Sequence, residues 1–403
     1  MKKIALHWQI LIALVVGIPF GLLLKDYVPW ISWAGDVFLR ALKMVVIPLI
    51  LFSMISGVTN IGSSGNLGRV GLKTILLYAG MLLVASATGL ILVNLIKPGI
   101  GANIGLQENI STLGLQQRSI KDILIGIIPD NVIMAMAQSN TLSVIFFGIL
   151  FGIFINQLSE KYRLQMTDFF AGAFDVMMLI TQFIIRFAPL GIFAIVAYQV
   201  ASQSDPLAVG KKLLVYMGVV TVGLVIHAVI SLPLIMYIFA RVNPVKQYKG
   251  VGAAWLMALS TASSNATLPV AMQCAEENCG VSKKISGFTL PLGATINMNG
   301  TALYEIVAAM FIAQAYGIEL TIGQQIIAVV TAALAAIGAA GIPMAGLVTI
   351  TIVLTAVGLP LEGVGLILAV DRPLDMLRTS VNILADTTVA SMIAKTEGEP
   401  VKV

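Results

Sequence analysis

The chain is 403 residues long, 58% hydrophobic and only 11% charged, with a formal net charge of +5 and a mean hydropathy of +0.96. Soluble domains carry roughly 25% charged residues, so this composition excludes a water-soluble enzyme or a nucleic-acid-binding domain. It describes a polytopic membrane protein whose positive charge follows topology.

The segment His7 to Leu24 lacks a small-x-small cleavage pattern before Lys25 and is followed by further apolar segments, so it predicts a retained first span. A second span covers Ala41 to Val58, and a third runs from Thr74 to Ile96 and stops at Lys97-Pro98-Gly99. Gly101 to Asp122 is polar and interrupted by glycine, which predicts a loop. A fourth span runs from Thr141 to Leu158, a fifth from Phe169 to Ala197 and a charge-free sixth from Leu213 to Ala240. Each is long enough for the roughly 17 to 25 residues of a spanning helix. Asp175 and Arg186 in the fifth mark an interface end or an internal pair, and His227 in the sixth reads as a satisfied core histidine, with a proton relay as the alternative. Alternating sides gather Lys2, Lys3, Arg69, Lys73, Arg241 and Lys249 on one face, which the positive-inside bias makes cytoplasmic, with both termini inside.

After the sixth span the pattern changes. Gly250 to Ala275 is charge-free, yet its centre is Ser260-Thr261-Ala262-Ser263-Ser264-Asn265, and Lys249 and Lys283 on either side belong to the same face. The segment must enter and leave on one side, as a re-entrant hairpin does. A seventh span, Ile285 to Ala315, is interrupted by Asn297-Met298-Asn299-Gly300-Thr301, which predicts an unwound turn exposing carbonyls to an ion or ligand. Thr321 to Leu361 is again charge-free but too long for one helix, and Gly338, Gly341, Pro343 and Gly346 predict the tip of a second hairpin. Cys274 and Cys279 fit no disulfide framework or metal-ligand spacing and read as free thiols.

The last span concentrates charge. Asp371, Asp375, Thr379, Asn382 and Asp386 fall 4, 4, 3 and 4 residues apart, which puts them on one helical stripe with Arg378 at its edge. Ionisable groups at membrane depth are costly and mark ion or substrate paths. A hairpin with a broken helix, followed by a hairpin with a polar helix, reads as an inverted repeat with its site at the interface. The fold class is thus an all-α polytopic membrane protein, with eight transmembrane helices and two re-entrant helical hairpins. An intramembrane enzyme would need a nucleophile with its base, or a metal set such as HExxH; the two histidines, His7 and His227, supply neither.

The stretches TASSNATLPV, PLGATINMNGTALYE, AAIGAAGIPMAGLVT and DMLRTSVNILAD resemble the dicarboxylate/amino-acid:cation symporters, the family of the glutamate and aspartate transporters. The resemblance implies a homotrimer that works as an elevator in the plasma (inner) membrane. It implies a scaffold and trimerisation domain of residues 1–70 and 121–208, and a transport domain of 71–97 and 209–403. Hairpin one is 249–279, hairpin two 321–361, and 98–120 an extracellular loop. The implied partners are the lipid bilayer and an acidic amino acid, L-glutamate or L-aspartate. No cofactor and no nucleic acid are implied; Na+ is the coupling ion, with H+ able to replace it.

Residue by residue, the resemblance implies that Arg378 binds the substrate's side-chain carboxylate and Asp375 its ammonium. Thr379, Asn382, Ser264, Thr301, Ile342 and Gly346 complete that site. Relatives for neutral amino acids lack the arginine and relatives for C4-dicarboxylates lack the aspartate, whereas this sequence has both; those substrates, and an anion-conducting channel, are the alternatives. One implied sodium site comprises Asp386 and Asn382 with backbone at Gly293 and Asn297. A second uses backbone around Thr295, Ala336, Ile337 and Ala339. A third loses its ligands to Asn299, Met81 and Leu82. Glu305 then matches the family's proton carrier, and Arg372 corresponds only loosely to an arginine that relatives place near the substrate.

Overall fold

The computed structural model describes residues 6–62, 68–101, 125, 128–138, 140–202, 206–337 and 346–403, which are helical with no strand among them. In chain order α1 (Leu6–Leu23), α2 (Val28–Gly62) and α3 (Gly68–Ile96) lead to a short α4 (Val132–Ala137), then α5 (Thr141–Ile155), α6 (Glu160–Ile185) and α7 (Ala188–Ser202). Helices α1, α2, α5, α6 and α7 pack chiefly on one another. Glycine allows the close approaches: a Cβ at Gly21 would lie 2.5 Å from the Ala197 carbonyl oxygen, and one at Gly191 2.5 Å from Phe38. Small residues at such crossings are how helices pack in lipid.

Two spans differ most from the expectation. The fifth span, Phe169 to Ala197, is two helices, broken at Arg186-Phe187. Pro189 falls in the first turn of α7, where its missing N–H leaves no helical bond unmade. Asp175 and Arg186 are both exposed and make no ion pair with each other. Helix α2 begins at Val28 rather than Ala41, because Pro29 sits in its first turn and Asp36 and Arg40 ride on its exposed faces without ending it.

The remaining helices form a second group. Helix α8 (Pro206–Ile226) continues through a π turn, His227–Ser231, into α9 (Leu232–Ala240), followed by α10 (Pro244–Gly250), α11 (Gly252–Thr261) and α12 (Ser264–Gln273). Then come α13 (Lys283–Ile296), α14 (Asn299–Ala315), α15 (Ile322–Ile337), α16 (Gly346–Ala356) and α17 (Val364–Thr396). Helix α14 is apolar almost all round and buried, with α3, α8, α15, α16 and α17 against it. Among the described residues four helices are long and apolar enough to cross a membrane: Arg69–Ile96, Glu160–Thr181, Gly210–Ala240 and Lys283–Ala315. His227 is buried as expected, but neither ring nitrogen has a hydrogen-bond partner. The π turn instead frees the Ala228 carbonyl, which accepts from the Tyr248 hydroxyl.

Breaks fall where the sequence carries polar residues. Helix α11 ends on Ala262 in the left-handed conformation, with φ of 51°. Ser263 then caps α12, its Oγ accepting from the Ala266 N–H at 3.3 Å. The arms α11 and α12 pack on one another, as do α15 and α16. Asn297 and Met298 separate α13 from α14 with non-helical dihedrals. The link between α15 and α16, including Ala339 and Ile342, lies outside the described residues.

The C-terminal residues clasp the base of this group. Glu397 pairs with Arg69 and Lys73 at the start of α3. Glu399 accepts from the Ser282 N–H at 3.1 Å and its hydroxyl at 2.6 Å, and the Lys402 N–H donates to the Cys279 carbonyl at 2.8 Å. Hydrogen bonds from Lys73 and Arg69 hold the Glu397 carboxyl below the usual glutamate range. A carboxyl lowered in the folded state stabilises fully above its unfolded pKa, and that contribution is lost as pH falls through the lowered value. Glu397→Gln should therefore lower the thermal unfolding midpoint at neutral pH, and the two proteins should converge in acid. A gap that stays constant across a pH series would show that the carboxylate is not the stabilising species.

Candidate functional site

The site is built on the middle of α17, where the polar stripe faces the interior. Among the described residues Arg378 is the largest fully buried side chain. Desolvating a guanidinium costs several kcal/mol unless it is paired. Its Nη2 lies 2.9 Å from Asp375 Oδ1 and 3.1 Å from Asp371 Oδ1. The Tyr304 ring, from α14, covers the guanidinium face at 3.8 Å, a cation–π contact. Arg378 Nε and Nη1 have no hydrogen-bond partner in the protein. Arg372, partly exposed, reaches Asp375 Oδ2 at 3.5 Å.

Two backbones come close to this arginine. A Cβ at Gly346, the first residue of α16, would stand 2.4 Å from Arg378 Nη1. One at Gly300 would meet the Arg378 carbonyl oxygen at 2.5 Å. The start of α14 is held there by Asn382, whose Oδ1 accepts from the Gly300 N–H at 2.8 Å and whose Nδ2 reaches Thr301 Oγ1 at 3.4 Å.

One turn further along α17, Asp386 Oδ1 accepts from Asn297 Nδ2 at 2.9 Å. A Cβ at Gly293 would lie 2.6 Å from that oxygen and 2.7 Å from the Tyr78 hydroxyl, which itself donates to the Thr289 carbonyl at 2.8 Å. Asp386 Oδ2, Asn297 Oδ1 and Asn299 Oδ1 are buried without hydrogen-bond partners.

The structure thus brings together Asp375, Arg378, Asn382, Thr301 and Gly346, and separately Asp386, Asn297 and Gly293. Thr379 is buried on the same helix, and Ser264 is buried at the start of α12, which packs on α17. Glu305 is fully buried, with Thr349 and Arg378 among its polar neighbours. Ala336 is buried and Ile337 partly so at the end of α15, whereas the Thr295 side chain is exposed and donates to the Leu292 carbonyl at 2.9 Å. Sequence reasoning left Asp371, Tyr304 and Tyr78 without a role. Asp371 lay on the polar stripe and could have been found there; Tyr304 and Tyr78 look like ordinary core aromatics.

A family model described as the sodium:dicarboxylate symporter family matches residues 6–396. This chain belongs to that family. Its relatives include mouse excitatory amino acid transporter 3, 36% identical over 98% of this chain and 87% of the relative. The human excitatory amino acid transporter 3 is 38% identical over 97% and 86%, and a Caenorhabditis elegans excitatory amino acid transporter 37% over 94% and 85%. Membership makes the chain a multi-pass membrane transporter and not an enzyme.

In this sodium:dicarboxylate symporter the unpartnered oxygens beside Asp386 suit a hard cation, which takes carboxylate, amide and carbonyl oxygen. The Gly346 contact generates a test. The three atoms nearest a methyl there all belong to the Arg378 guanidinium, so Gly346→Ala should shift that group off Asp375. Uptake by the reconstituted symporter should fall by about tenfold or more, since a small misplacement of a binding group suffices. Unchanged uptake would mean that the guanidinium does not need its place against the α16 backbone.

Proposed function

We propose that this symporter imports an acidic amino acid, L-aspartate or L-glutamate, coupled to Na+ and, in part, to H+. The observation that carries the reading is the buried Asp375–Arg378 pair with two unused guanidinium nitrogens. A guanidinium recognises a carboxylate bidentately and a carboxylate recognises an ammonium, so the pair offers one partner to each end of such a substrate. A C4-dicarboxylate would leave Asp375 with no ammonium once Arg378 was engaged. A neutral amino acid would leave Arg378 without an anion to receive. Asn382, Thr379, Thr301, Ser264, Gly346 and Ile342 would complete the pocket.

The coarse packing supports an elevator in which α1, α2, α5, α6 and α7 are the static scaffold of a homotrimer and the second helix group carries the cargo. The α11–α12 and α15–α16 pairs would be the two re-entrant hairpins, with both termini cytoplasmic. Radiolabelled L-aspartate and L-glutamate uptake into proteoliposomes, with Na+, H+ and K+ gradients imposed separately, tests the substrate and its coupling. Arg378→Gln should lower acidic amino-acid uptake by at least about a hundredfold, as loss of one partner of a buried charge pair does. Uptake that survives the substitution would refute the assignment.

For the cations, Asp386, Asn382, Asn297 and the Gly293 backbone would hold one Na+. The backbone near Thr295, Ala336, Ile337 and Ala339 would hold another. Met81 and Leu82 are fully buried, and Leu82 packs with Met298 and Ala302. A thioether and hydrocarbon offer no hard oxygen, which argues against a third sodium there. Glu305 would carry a proton instead, so Glu305→Gln should flatten the pH dependence of uptake. An unaltered pH profile, or a reversal potential requiring three Na+ per substrate, would sink the proton reading.

A further inference from the structure

Helices α8 and α9, with the π turn between them, form one of the four stretches apolar enough to cross a membrane, and it ends at Ala240. Its last turn exposes Tyr237, Ile238 and Phe239, an aromatic and apolar surface of the kind that marks the edge of the hydrocarbon. The next residue is Arg241, exposed and in the left-handed conformation with φ of 51°. Glycine or asparagine adopts that conformation at less cost, yet the chain sets a cation there. Helix α10 continues the pattern. Its Gln247 is buried, with Nε2 donating to the Thr387 carbonyl at 3.1 Å and Oε1 accepting from Ser391 Oγ at 2.8 Å. Asn278 Nδ2 holds the end of α10 by donating to the Gly250 carbonyl at 2.8 Å. These bonds leave Val245, Lys246 and Lys249 on the outer face, all exposed. A valine flanked by lysines on an outer face is the composition of a helix that lies in the membrane interface, apolar atoms among acyl chains and ammonium groups among headgroups.

The protein supplies these cations with no counter-ion. Among the described residues Arg241, Lys246 and Lys249 form no ion pair, and neither do Lys283 and Lys284 at the start of α13. The carboxylates at this end are engaged elsewhere. Glu276 accepts from Ser286 Oγ at 2.5 Å and Glu277 from Gln273 Nε2 at 3.3 Å, while Arg69 and Lys73 take Glu397 and Ser282 takes Glu399. We propose that the corner formed by the end of α9 and by α10 is a docking surface for anionic phospholipid, with Arg241, Lys246 and Lys249 on the headgroups and Tyr237, Phe239 and Val245 against the chains. An acidic peptide or a nucleic acid would satisfy the cations but leave the apolar side chains in water; a lipid satisfies both. Continuity with a membrane-crossing helix puts the cations at headgroup level, where anionic lipid attracts them and salt screens the attraction. The inference stands on membership of a membrane-transporter family and not on the acidic amino-acid reading.

Trp255, partly exposed on α11 shortly after Lys249, is a reporter for this corner. The full chain is reconstituted in phosphatidylcholine vesicles that contain brominated phosphatidylglycerol or, in a parallel series, brominated phosphatidylcholine. Subtracting the fluorescence of the Trp255→Phe carrier isolates the quenching of that one side chain. The expected result is a relative binding constant for phosphatidylglycerol over phosphatidylcholine of about fivefold or more, as cations at a membrane surface give. The preference should fall towards one in the Lys246→Gln, Lys249→Gln double variant and in wild type at high salt. Both substitutions are on an exposed face, and the gel-filtration profile checks that the variant is folded. Equal quenching by the two lipids, or no quenching by either, overturns the proposal. So does a preference that survives the double substitution, or one that millimolar inorganic phosphate or polyglutamate abolishes, which would identify a soluble anion or an acidic peptide as the occupant. The readout is lipid contact, so a carrier that fails to take up L-aspartate or L-glutamate would refute the substrate reading and leave this test intact.

Discussion

The structure depends on keeping one positive charge at the centre of an apolar protein. Burying the Arg378 guanidinium costs several kcal/mol, and breaking such a buried pair by removing one partner costs about 3–5 kcal/mol. Two carboxylates and the face of Tyr304 offset that cost. Their demands reach outward into the packing: α16 must carry a residue with no side chain at Gly346, and α14 must bring Gly300 against the Arg378 backbone. The neighbouring helices are arranged around a charge that the surrounding lipid and core would otherwise reject.

The same constraint explains why the helices break where they do. Backbone at membrane depth must satisfy its own hydrogen bonds unless it lines a polar interior. The interruptions at Ala262-Ser263 and Asn297-Met298 belong to helices packed on α17, the one that carries the charged stripe. Helix α14 needs no amphipathic face because it is surrounded by protein. Its polar content is gathered at its start, in Asn299, Thr301 and Glu305, with Gln314 near its far end.

Much of this was legible in the sequence, and for a physical reason. Long apolar runs, a charged stripe at helical spacing and clusters of Ser, Asn and Gly are local signals, so the helices, the breaks and the polar stripe that carries Asp375 with Arg378 at its edge follow from them. Features that depend on which helix lies against which were not legible. The fifth span looked continuous because Phe187 and Ala188 are apolar, and only the turn before Pro189 divides it. The start of α2 was read at Ala41 because charge in an exposed helix face, as at Arg40, and charge outside a span look alike. Tyr304 sits beside Glu305 in a run of core residues, and nothing in its spacing distinguishes an aromatic that stacks on a guanidinium from one that fills space. His227 shows the converse: burial was predictable, its lack of a partner was not.

The two-residue break at Asn297 and Met298 has a thermodynamic consequence. On its α13 side Asn297 is fastened to Asp386; on its α14 side Gly300 and Thr301 are fastened to Asn382. Both fasteners are on α17, one turn apart, so anything that adjusts the break on one side is felt on the other. Linkage is reciprocal: whatever factor a cation beside Asp386 adds to the affinity of a ligand beside Arg378, that ligand must return to the cation. With a cation beside Asp386 and a ligand beside Arg378, a joint of this kind would couple the two binding events through the Asn297–Met298 break.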